Sequence, residues 1–531
     1  MARDLFSARI AMTRKKLPIG IQSFAKIREG DYYYIDKTPY ALRLIEEGKC
    51  YFLSRPRRFG KSLFLDTLGE LFQGNEALFR GLDCHGKWDW SVKYPVIRIS
   101  FGSGVQQTRD GLTQRILEIF HENEQRLGLE SVAASVPGRF ANLILEAERK
   151  FGQRVVVLVD EYDKPILDNL ARPELAREMR DGLHDLYSVV KDQDAHIQFA
   201  LLAGVSRLSK VNIFSGLNNL FDITISPAYS AICGYTDHDV DTVFAPELPG
   251  LDREEIRDWY NGYNWTGEAV YNPFDLLLLF DSREFSPYWF ETGTPTFLLD
   301  VLLDQSIYLP DLEQMTATDI LISSFEVGDI HPIALLFQTG YLTIDHFESL
   351  GAVRQYALRF PNREVRSSLY GALLQRLRPQ QIRDARHPSL YSVLRANDFA
   401  GLRELITACF AGIPADWHRK NDVGEYEGYY ASVFYAYFIS LGLDVVAEDA
   451  SSTGRLDMAV RFNGHVYLFE FKVVEAFPEG RALQQIKDRG YAGKYRGAGQ
   501  PIHLIGVEFS RDKRNIVGFE VESLADRAGS A

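Results

Sequence analysis

The segment YFLSRPRRFGKSLFLDTLGELF, residues 51–72, runs from an apolar strand through a short basic loop into an amphipathic helix. Gly60, Lys61 and Ser62 stand where the helix begins, which is the context of a phosphate-binding loop. There, backbone N–H groups would cradle phosphates, Lys61 would reach the β and γ oxygens, and Ser62 would ligate magnesium. The strict pattern GxxxxGK[ST] has a glycine where this chain has Arg55, so a basic surface loop that caps a helix is the alternative.

A second segment, VVVLVDEYD at residues 155–163, is an apolar strand that ends in carboxylates. Asp160 would hold the magnesium through water, and Glu161 would orient or deprotonate the attacking water. A third segment, GVSR at residues 204–207, follows another apolar strand, and Ser206 or Arg207 could sense the γ-phosphate; a plain strand-to-loop turn is equally compatible with it. The first two segments, in this order and each at the end of a predicted parallel strand, favour nucleotide binding.

The surrounding sequence predicts an α/β fold with a parallel sheet flanked by helices. Short apolar runs at residues 51–54, 96–100, 155–159 and 197–203 alternate with helix-like stretches. Residues 234–379 are rich in aromatic residues and helical patterns, without a catalytic motif. At about residue 389 a new unit begins.

The composition excludes several classes of protein. Apolar residues make up 46% and charged residues 25% of the 531 residues, as in a soluble globular protein of about three domains. We find no membrane span and no secretory signal, so we expect a cytoplasmic protein with no membrane partner. The four cysteines form no CxxC pair, and the net charge of −13 argues against non-specific coating of nucleic acid.

The N-terminal motifs resemble those of the AAA-ATPase-like family of bacterial proteins. The segments that carry the resemblance are LPIGIQSFAKIREGDYYYIDKT (residues 17–38), RPRRFGKS (55–62), LVDEYDKP (158–165), GVSRLSKVNIFSGLNNLFDIT (204–224) and CGYT (233–236). RPRRFGKS is the usual form of the phosphate loop in that family, so Arg55 no longer counts against nucleotide binding. The resemblance also implies that the chain proper starts near Met12, after a disordered leader.

Two carboxylates and a lysine stand on a predicted β-hairpin near the C-terminus, in GRLDMAVRFNGHVYLFEFK, residues 454–472. Asn463-Gly464 is a strong signal for a two-residue type I′ turn, which would place Asp457 directly opposite Glu470. Lys472 would lie on the same face. Facing carboxylates repel each other unless their charge is neutralised, and a divalent cation such as magnesium would neutralise it. An exposed hairpin end with Lys472 and Arg455 paired to the acids is the alternative.

The order of elements around this hairpin resembles the PD-(D/E)XK nuclease superfamily. The predicted order is αβββαβ, over residues 426–521. The resemblance implies that Asp457, Glu470 and Lys472 form the metal and catalytic triad. It also implies that Glu427, or alternatively Glu425, is an acid of the first helix that assists metal binding, and that a later helix faces the site with Gln485, Lys487 and Tyr491, for which ordinary packing is the alternative.

The sequence therefore predicts a nucleotide-regulated nuclease. Its expected parts are a leader (1–16), a P-loop ATPase domain (17–235), a helical middle domain (236–388) and a restriction-endonuclease-like domain (389–531). Its expected cofactors are ATP and Mg²⁺, and its expected partners are nucleic acid, DNA rather than RNA, and further copies of the chain. The residues predicted to bind nucleotide are Arg57, Arg58, Phe59, Gly60, Lys61, Ser62, Asp160, Ser206 and Arg207. A signalling or scaffold ATPase whose C-terminal domain binds a partner without cutting is the alternative, and a defence role against mobile DNA is a further implication of the architecture.

Overall fold

The computed structural model describes residues 14–130, 135–207, 219–291, 296–304, 309–323, 327, 330–351, 353–377, 387–411, 426–451 and 454–524. Its contacts divide the chain into two compact units. The N-terminal unit comprises residues up to Phe297 together with Met315–Asn362, and the C-terminal unit comprises Leu298–Gln314 together with the chain from Arg363 onwards. The predicted domain limits at 235 and 388 rest on the sequence pattern and remain a prediction. Most of the expected leader lies outside the described residues, and Arg14 Nε donates to the Pro246 carbonyl at 3.1 Å.

The helices of the described residues are α1 (Phe24–Glu29), α2 (Thr38–Glu47), α3 (Lys61–Phe72), α4 (Arg109–Leu127), α5 (Val136–Phe151), α6 (Lys164–Leu167), α7 (Pro173–Asp192), α8 (Asp237–Thr242), α9 (Arg253–Tyr260), α10 (Pro273–Ser282), α11 (Tyr288–Glu291), α12 (Thr296–Asp304), α13 (Asp319–Ser323), α14 (Pro332–Thr339), α15 (Arg363–Leu377), α16 (His387–Arg395), α17 (Phe399–Ala411), α18 (Tyr426–Ile439) and α19 (Arg481–Arg489). The strands are β1 (Cys50–Ser54), β2 (Val96–Ser100), β3 (Val155–Asp160), β4 (Ile197–Gly204), β5 (Phe221–Asp222), β6 (Met315–Thr318), β7 (Thr343–Leu350), β8 (Val353–Arg359), β9 (Asp444–Ser451), β10 (Gly454–Phe462), β11 (His465–Val474), β12 (Ile502–Ser510) and β13 (Asn515–Leu524).

The N-terminal unit is built on a parallel sheet with the strand order β2-β3-β4-β1-β5. Strands β1 and β4 are almost entirely buried, and β3 is buried up to its last residue, as expected for central strands with helices on both faces. Because all five strands are parallel, the loops that follow β1, β3 and β4 emerge at one edge of the sheet. The predicted α/β architecture with a parallel sheet is confirmed.

The predicted helical middle region also contains a small antiparallel sheet with the order β6-β8-β7. Strand β7 has the sequence TIDHFESL, and six of its eight side chains are exposed. A strand with so little buried surface lacks the alternation of apolar and polar residues that marks a strand in a sequence. The sheet was therefore not anticipated.

The C-terminal unit is built on a mixed sheet with the order β13-β12-β11-β10-β9. Helix α18 covers one face, where Phe434 packs against Phe471 with ring centroids 4.8 Å apart. The other face packs against α19, and Ile486 lies in an apolar cluster with Leu468 and Ala459. The predicted order αβββαβ is present, with β13 added as an antiparallel edge strand.

The four cysteines are free and buried. Among the described residues, no helix has the length and apolar character needed to cross a bilayer.

Candidate functional site

The predicted phosphate-binding loop leaves the buried end of β1 and turns sharply into α3. Gly60 lies immediately before α3 with φ at 89°, in the left-handed region that a glycine enters without strain. The Lys61 ammonium group is buried and donates to the carbonyls of Arg55 at 2.9 Å and Pro56 at 2.8 Å. Burial lowers the pKa of Lys61, and the charge of Asp160 opposes this shift. The loop lysine is therefore held close to the predicted acid.

Arg55, which replaces the first glycine of the strict motif, is a structural centre of this loop. Its side chain is fully buried and donates to the carbonyls of Ser54 at 2.8 Å, Thr224 at 2.9 Å and Tyr229 at 2.9 Å. The guanidinium carbon lies 3.9 Å from the centre of the Trp265 ring. Burial lowers the pKa of Arg55 to about 10, so the group stays charged at neutral pH. The departure from the strict motif is visible in the sequence, but Thr224 and Tyr229, two of the partners of Arg55, lie 169 and 174 residues further along the chain.

The acids after β3 occupy the same edge of the sheet. Glu161 has φ at 51°, an uncommon backbone conformation for a non-glycine residue, and its N–H donates to Asp160 Oδ1 at 3.0 Å. Burial, together with the charge of Asp160, raises the pKa of Glu161. Strained backbone of this kind is found more often at functional sites than elsewhere.

Asp163 is a third acid of this segment, and the sequence motifs predict no role for it. It is fully buried and accepts hydrogen bonds from Ser206 N at 2.5 Å and Ser206 Oγ at 2.6 Å. The Ser206 hydroxyl is thus held by a carboxylate. Arg207 donates to Asp222 Oδ2 at 2.8 Å, and its backbone N–H donates to Gln338 Oε1 at 2.8 Å. Both predicted sensor residues are engaged by neighbouring protein groups.

A cavity of about 550 Å³ in the N-terminal unit opens onto this loop. Six residues predicted to bind nucleotide line it, together with the predicted water-orienting acid: Arg57, Arg58, Phe59, Gly60, Lys61, Ser62 and Glu161. Its remaining walls combine apolar side chains, such as Tyr34, Ile35 and Phe274, with the charged residues Lys37, Asp163, Lys164 and Asp168. A cavity of this size, with basic and hydroxyl groups at the loop and both aromatic and polar side chains around it, suits a nucleotide.

The hairpin register in the C-terminal unit is confirmed. Strands β10 and β11 pair from Phe462 with His465 to Met458 with Phe469, and Asn463 and Gly464 at the turn both have positive φ. The next pair in this register is Asp457 and Glu470, and the Asp457 carboxylate accepts the Phe471 N–H at 2.7 Å.

Glu470 is the most perturbed acid of this region. Its side chain is 1% exposed, and within the described part of the chain its Oε2 atom has no hydrogen-bond partner. Burial, with the Asp457 charge as the second cause, raises the pKa of Glu470 to about 8. A buried carboxylate oxygen without a partner, beside a second carboxylate, fits a divalent cation, which would replace the proton. Across the described residues, no group of three or more histidine, cysteine, aspartate or glutamate side chains is placed to hold a metal, so the two acids would need water or substrate ligands.

Of the other residues predicted for this site, some contact Glu470 and some have other partners. Lys472 Nζ lies 3.4 Å from Glu470 Oε1, and Gln485 Nε2 donates to the same oxygen. Lys487 forms an ion pair with Glu522, and Tyr491 donates to the Arg455 carbonyl at 2.8 Å, so these two have other partners. Glu427 lies in α18, but its side chain is outside the described residues, as is the whole of Glu425.

Glu508 is a buried acid of this region that the sequence analysis missed. It is the register partner of Lys472 on the neighbouring strand, and Glu508 Oε1 accepts the Arg481 N–H at 2.6 Å where α19 begins. A carboxylate at a helix start satisfies free N–H groups and favours that helix end. Glu508 therefore fixes the helix that carries Gln485.

Comparison with known proteins identifies a domain family for each of the two regions. A family model described as "Predicted AAA-ATPase" matches residues 18–214, and a model for the PD-(D/E)XK nuclease superfamily matches residues 425–519. At the level of the family, these domains indicate ATPase and nuclease-like functions. An uncharacterized protein encoded in the vnfD 5′ region of Azotobacter chroococcum mcd 1 is 66% identical over 515 residues, which cover 97% of this chain and 100% of that protein. The chain therefore belongs to the same family as the Azotobacter protein, with an AAA-ATPase-like domain followed by a C-terminal domain of the PD-(D/E)XK nuclease superfamily.

Proposed function

We propose that the protein is an ATP-binding hydrolase whose C-terminal unit cleaves nucleic acid in a metal-dependent reaction. The observation that carries this proposal is the Asp457 and Glu470 pair, with Lys472 3.4 Å from Glu470. Asp457 and Glu470 repel each other when both are ionised, and burial raises the pKa of Glu470. A cation bound between the two carboxylates would turn this repulsion into attraction to the metal.

In the proposed reaction Asp457 and Glu470 would hold Mg²⁺, which would supply charge stabilisation at the scissile phosphate. Lys472 positions the attacking water or stabilises the negative charge on the phosphate. Gln485 donates to Glu470 and thereby orients its carboxylate. Water adds to phosphorus, the bond from phosphorus to one sugar oxygen breaks, and that oxygen takes up a proton.

In the N-terminal unit we propose that the cavity binds Mg-ATP. The start of α3 would receive the phosphates, and Lys61 would exchange its two carbonyl partners for phosphate oxygens. Ser62 would hold the metal directly and Asp160 through water. Glu161 orients the attacking water. ATP binding or turnover then gates cleavage, and defence against mobile DNA is the biological setting that we propose.

The test is cleavage of supercoiled plasmid, linear duplex, single-stranded DNA and RNA by the full-length protein, with and without Mg²⁺ and ATP. We expect cleavage of at least one DNA form to require Mg²⁺. Glu470→Gln should reduce the rate about 100-fold or more, because the metal that stabilises transition-state charge would lose a charged ligand. The matched control is Glu404→Gln, an exposed acid on α17. Absence of cleavage by the wild type, or equal rates in wild type and Glu470→Gln, would refute the nuclease assignment.

Nucleotide binding by the N-terminal unit is measured separately, by the melting temperature. Mg-ATP should raise the melting temperature of the wild type by mass action, and Lys61→Ala should abolish this shift because the positive charge that would contact the β and γ phosphates is lost. Glu161→Gln should retain ATP binding, lose hydrolysis and change the cleavage rate. Unchanged cleavage in that variant would argue for two independent activities on one chain.

A second candidate is an ATPase whose C-terminal domain holds nucleic acid or a partner without cutting. The ion pair between Lys472 and Glu470 favours it, because Lys472 neutralises the acid without a metal. Under this candidate the protein binds DNA, and no Mg²⁺-dependent products appear.

A further inference from the structure

Arg58, in the predicted phosphate-binding loop, has an uncommon backbone conformation that its neighbours hold in place. Its φ is 68°, in the left-handed region that residues with a Cβ atom seldom occupy. On one side, Trp289 Nε1 donates to the Arg57 carbonyl at 3.1 Å. On the other side, the Gly234 N–H donates to the Phe59 carbonyl at 3.2 Å. Strained backbone persists where the surroundings fix it, and it is concentrated at sites that bind ligands.

The guanidinium group of Arg58 is fixed against an aromatic ring of the cavity wall. Its central carbon lies 4.5 Å from the centre of the Phe274 ring, and both residues line the cavity of about 550 Å³. Phe274 is in the first turn of α10, where its N–H donates to Asn272 Oδ1 at 2.9 Å. The ring contacts the flat face of the guanidinium, so the N–H donors around its edge remain available to a ligand.

The cavity is lined by more basic than acidic residues: Lys37, Arg57, Arg58, Lys61 and Lys164, against Glu161, Asp163 and Asp168. Two of the lysines pair with aspartates, and the third donates to two backbone carbonyls. Of the acids, Asp163 accepts a hydrogen bond from Ser206, and Asp168 pairs with a lysine. Across the described residues, the guanidinium groups of Arg57 and Arg58 form no ion pair or hydrogen bond. Arg58 is the one of these two that an aromatic ring fixes.

Two other arginines near this edge of the sheet are occupied by protein groups. Arg55 is fully buried and donates to three carbonyls. Arg207 pairs with Asp222 at 2.8 Å. The acids at this edge, Asp160 and Glu161, interact with the loop lysine and are those proposed to hold the metal and to orient the water. Arg58 is therefore the fixed arginine whose donors are available for a bound nucleotide.

We propose that Arg58 is a catalytic residue for ATP hydrolysis, which contacts the γ-phosphate bound by its own chain. This inference rests on the proposed nucleotide function and deepens it. A planar guanidinium donates to two phosphate oxygens at once, and it stabilises the charge that develops on the transferred phosphoryl group.

In this step water adds to the γ phosphorus, and the bond from that phosphorus to the β–γ bridging oxygen breaks. The electron pair of the broken bond leaves with ADP, and Glu161 takes the proton of the water. Arg58 contributes by binding the γ oxygens more tightly as their charge grows. Because the arginine belongs to the same chain as Lys61, hydrolysis needs no arginine from a neighbouring copy.

The test measures steady-state ATP hydrolysis and, separately, the binding of fluorescent ADP to the full-length protein. Arg58→Ala should lower kcat about 100-fold or more. It should change the Kd for ADP less than about 3-fold, because ADP lacks the phosphate that Arg58 contacts. Guanidinium chloride at a concentration that does not denature the protein should partly restore the kcat of Arg58→Ala. A purely structural role for Arg58 would not give this rescue.

Three further variants accompany Arg58→Ala. Arg58→Lys keeps the charge but not the paired donors, so it should recover only part of the activity. Phe274→Leu removes the ring and keeps an apolar side chain, so kcat should fall about 10-fold with KM nearly unchanged. Arg154→Ala is the matched control and should hydrolyse ATP like the wild type. Arg154 is an exposed arginine immediately before β3, at the edge of the sheet opposite the phosphate loop.

An equimolar mixture of Arg58→Ala and Lys61→Ala tests whether the arginine acts within its own chain. If Arg58 acted on a neighbouring copy, the mixture would combine an intact arginine from one copy with an intact lysine from the other. Activity would then exceed that of either variant alone. We expect no such recovery, and recovery would overturn the assignment to the same chain.

The remaining outcomes separate this inference from the proposed function. Equal kcat values for wild type and Arg58→Ala would overturn the inference and leave ATP binding in place. Equal losses of ADP and ATP affinity with an unchanged kcat would place Arg58 against another part of the nucleotide and refute it. A wild type that binds ATP without hydrolysing it would also refute it. A wild type that does not bind ATP would refute the proposed nucleotide site, and this inference with it.

Discussion

Arg55 replaces a small, flexible residue in the loop motif by a buried cation that joins the neighbouring carbonyl of Ser54 to two carbonyls from distant parts of the chain. Its donors reach Ser54, Thr224 and Tyr229, and Trp265 covers its face. Carbonyls buried without a donor are costly, since they have lost hydrogen bonds to water. Arg55 therefore stabilises the loop by satisfying groups that a glycine would leave unpaired.

The change Arg55→Gly restores the strict loop motif, yet we expect it to destabilise the protein. Loss of the guanidinium leaves buried carbonyls without partners, at a cost of about 3 kcal/mol or more in the free energy of unfolding. Chemical denaturation followed by circular dichroism measures this. Arg57→Gly is the control, because Arg57 is exposed and should lose only about 1 kcal/mol. A variant Arg55→Gly as stable as the wild type would contradict this account of the loop.

The pair His465 and His503 gives the C-terminal unit a dependence on pH. His503 Nε2 lies 2.9 Å from His465 Nδ1, and His503 Nδ1 lies 2.8 Å from Ser523 Oγ. Tyr467 stacks on the His503 ring, and Phe399 packs against it at a tilted angle. Burial, and then the neighbouring His465, lowers the pKa of His503 below its ordinary value of 6.5.

We therefore expect the stability of the wild type to fall as the pH drops below about 6.5. Below that pH the unfolded chain binds a proton that folded His503 resists, so acidification favours unfolding, at up to about 1.4 kcal/mol per pH unit. His503→Gln should weaken the dependence of the melting temperature on pH between pH 5 and pH 6.5. His238→Gln, at an exposed position, should leave that dependence unchanged. Parallel profiles for wild type and His503→Gln would exclude His503 as the cause.

Helix α19 is seated on β12 at a position where only a glycine fits. A Cβ atom built on Gly506 would lie 2.3 Å from the backbone nitrogen of Leu483, so any other residue pushes the helix away. The helix also carries Gln485, the donor to Glu470. The close contact between the backbones of Gly506 and Leu483 thus determines where Gln485 lies in the site.

Gly506→Ala should accordingly displace α19 and impair the site. We expect a loss of about 2 kcal/mol in stability, in the range for an overpacked core, and a cleavage rate at least about 10-fold lower. Gly493→Ala is the control, because a Cβ built there meets no atom within 4 Å. Thermal melting and the cleavage assay measure the two effects, and wild-type values in Gly506→Ala would show that α19 can shift without consequence.

Short-range signals allowed much of the fold and of both sites to be predicted. Asn463-Gly464 defines the hairpin register, and the strand-loop-helix pattern around Lys61 locates the phosphate loop. The roles of Arg55 and Glu508 could not be predicted, because their partners are supplied by segments distant in the sequence or by another element of the sheet. Hydrogen bonds between distant segments depend on how the helices and strands pack, and they produce no periodic pattern in the sequence.

The C-terminal unit is assembled from two separate segments of the chain. Glu313, from Leu298–Gln314, accepts hydrogen bonds from Arg366 of α15 at 2.8 Å and from Tyr435 of α18 at 2.8 Å. Tyr370 of α15 packs edge-on against Tyr435 and donates to the Leu309 carbonyl at 2.8 Å. Both α15 and the 298–314 segment therefore cover α18, although both precede residue 389.

A fragment of residues 389–531 should consequently be unstable. It lacks α15, whose buried Leu369, Leu373 and Leu374 each contribute about 1.5–3 kcal/mol by burial, so we expect a loss of about 5 kcal/mol or more. The comparison is a chain in which residues 298–314 are joined through a flexible linker to residues 363–531. Urea denaturation of both chains measures the difference, and equal midpoints would show that the shorter fragment forms a complete domain.

The division of the C-terminal unit into Leu298–Gln314 and the chain from Arg363 onwards also has a genetic consequence. The codons for the C-terminal unit are interrupted by the 48 codons for Met315–Asn362, which encode part of the N-terminal unit. Recombination that transfers one contiguous block of the gene cannot deliver the whole C-terminal unit without also carrying that intervening block. A block that carries the whole C-terminal unit would therefore separate Met315–Asn362 from the rest of the N-terminal unit.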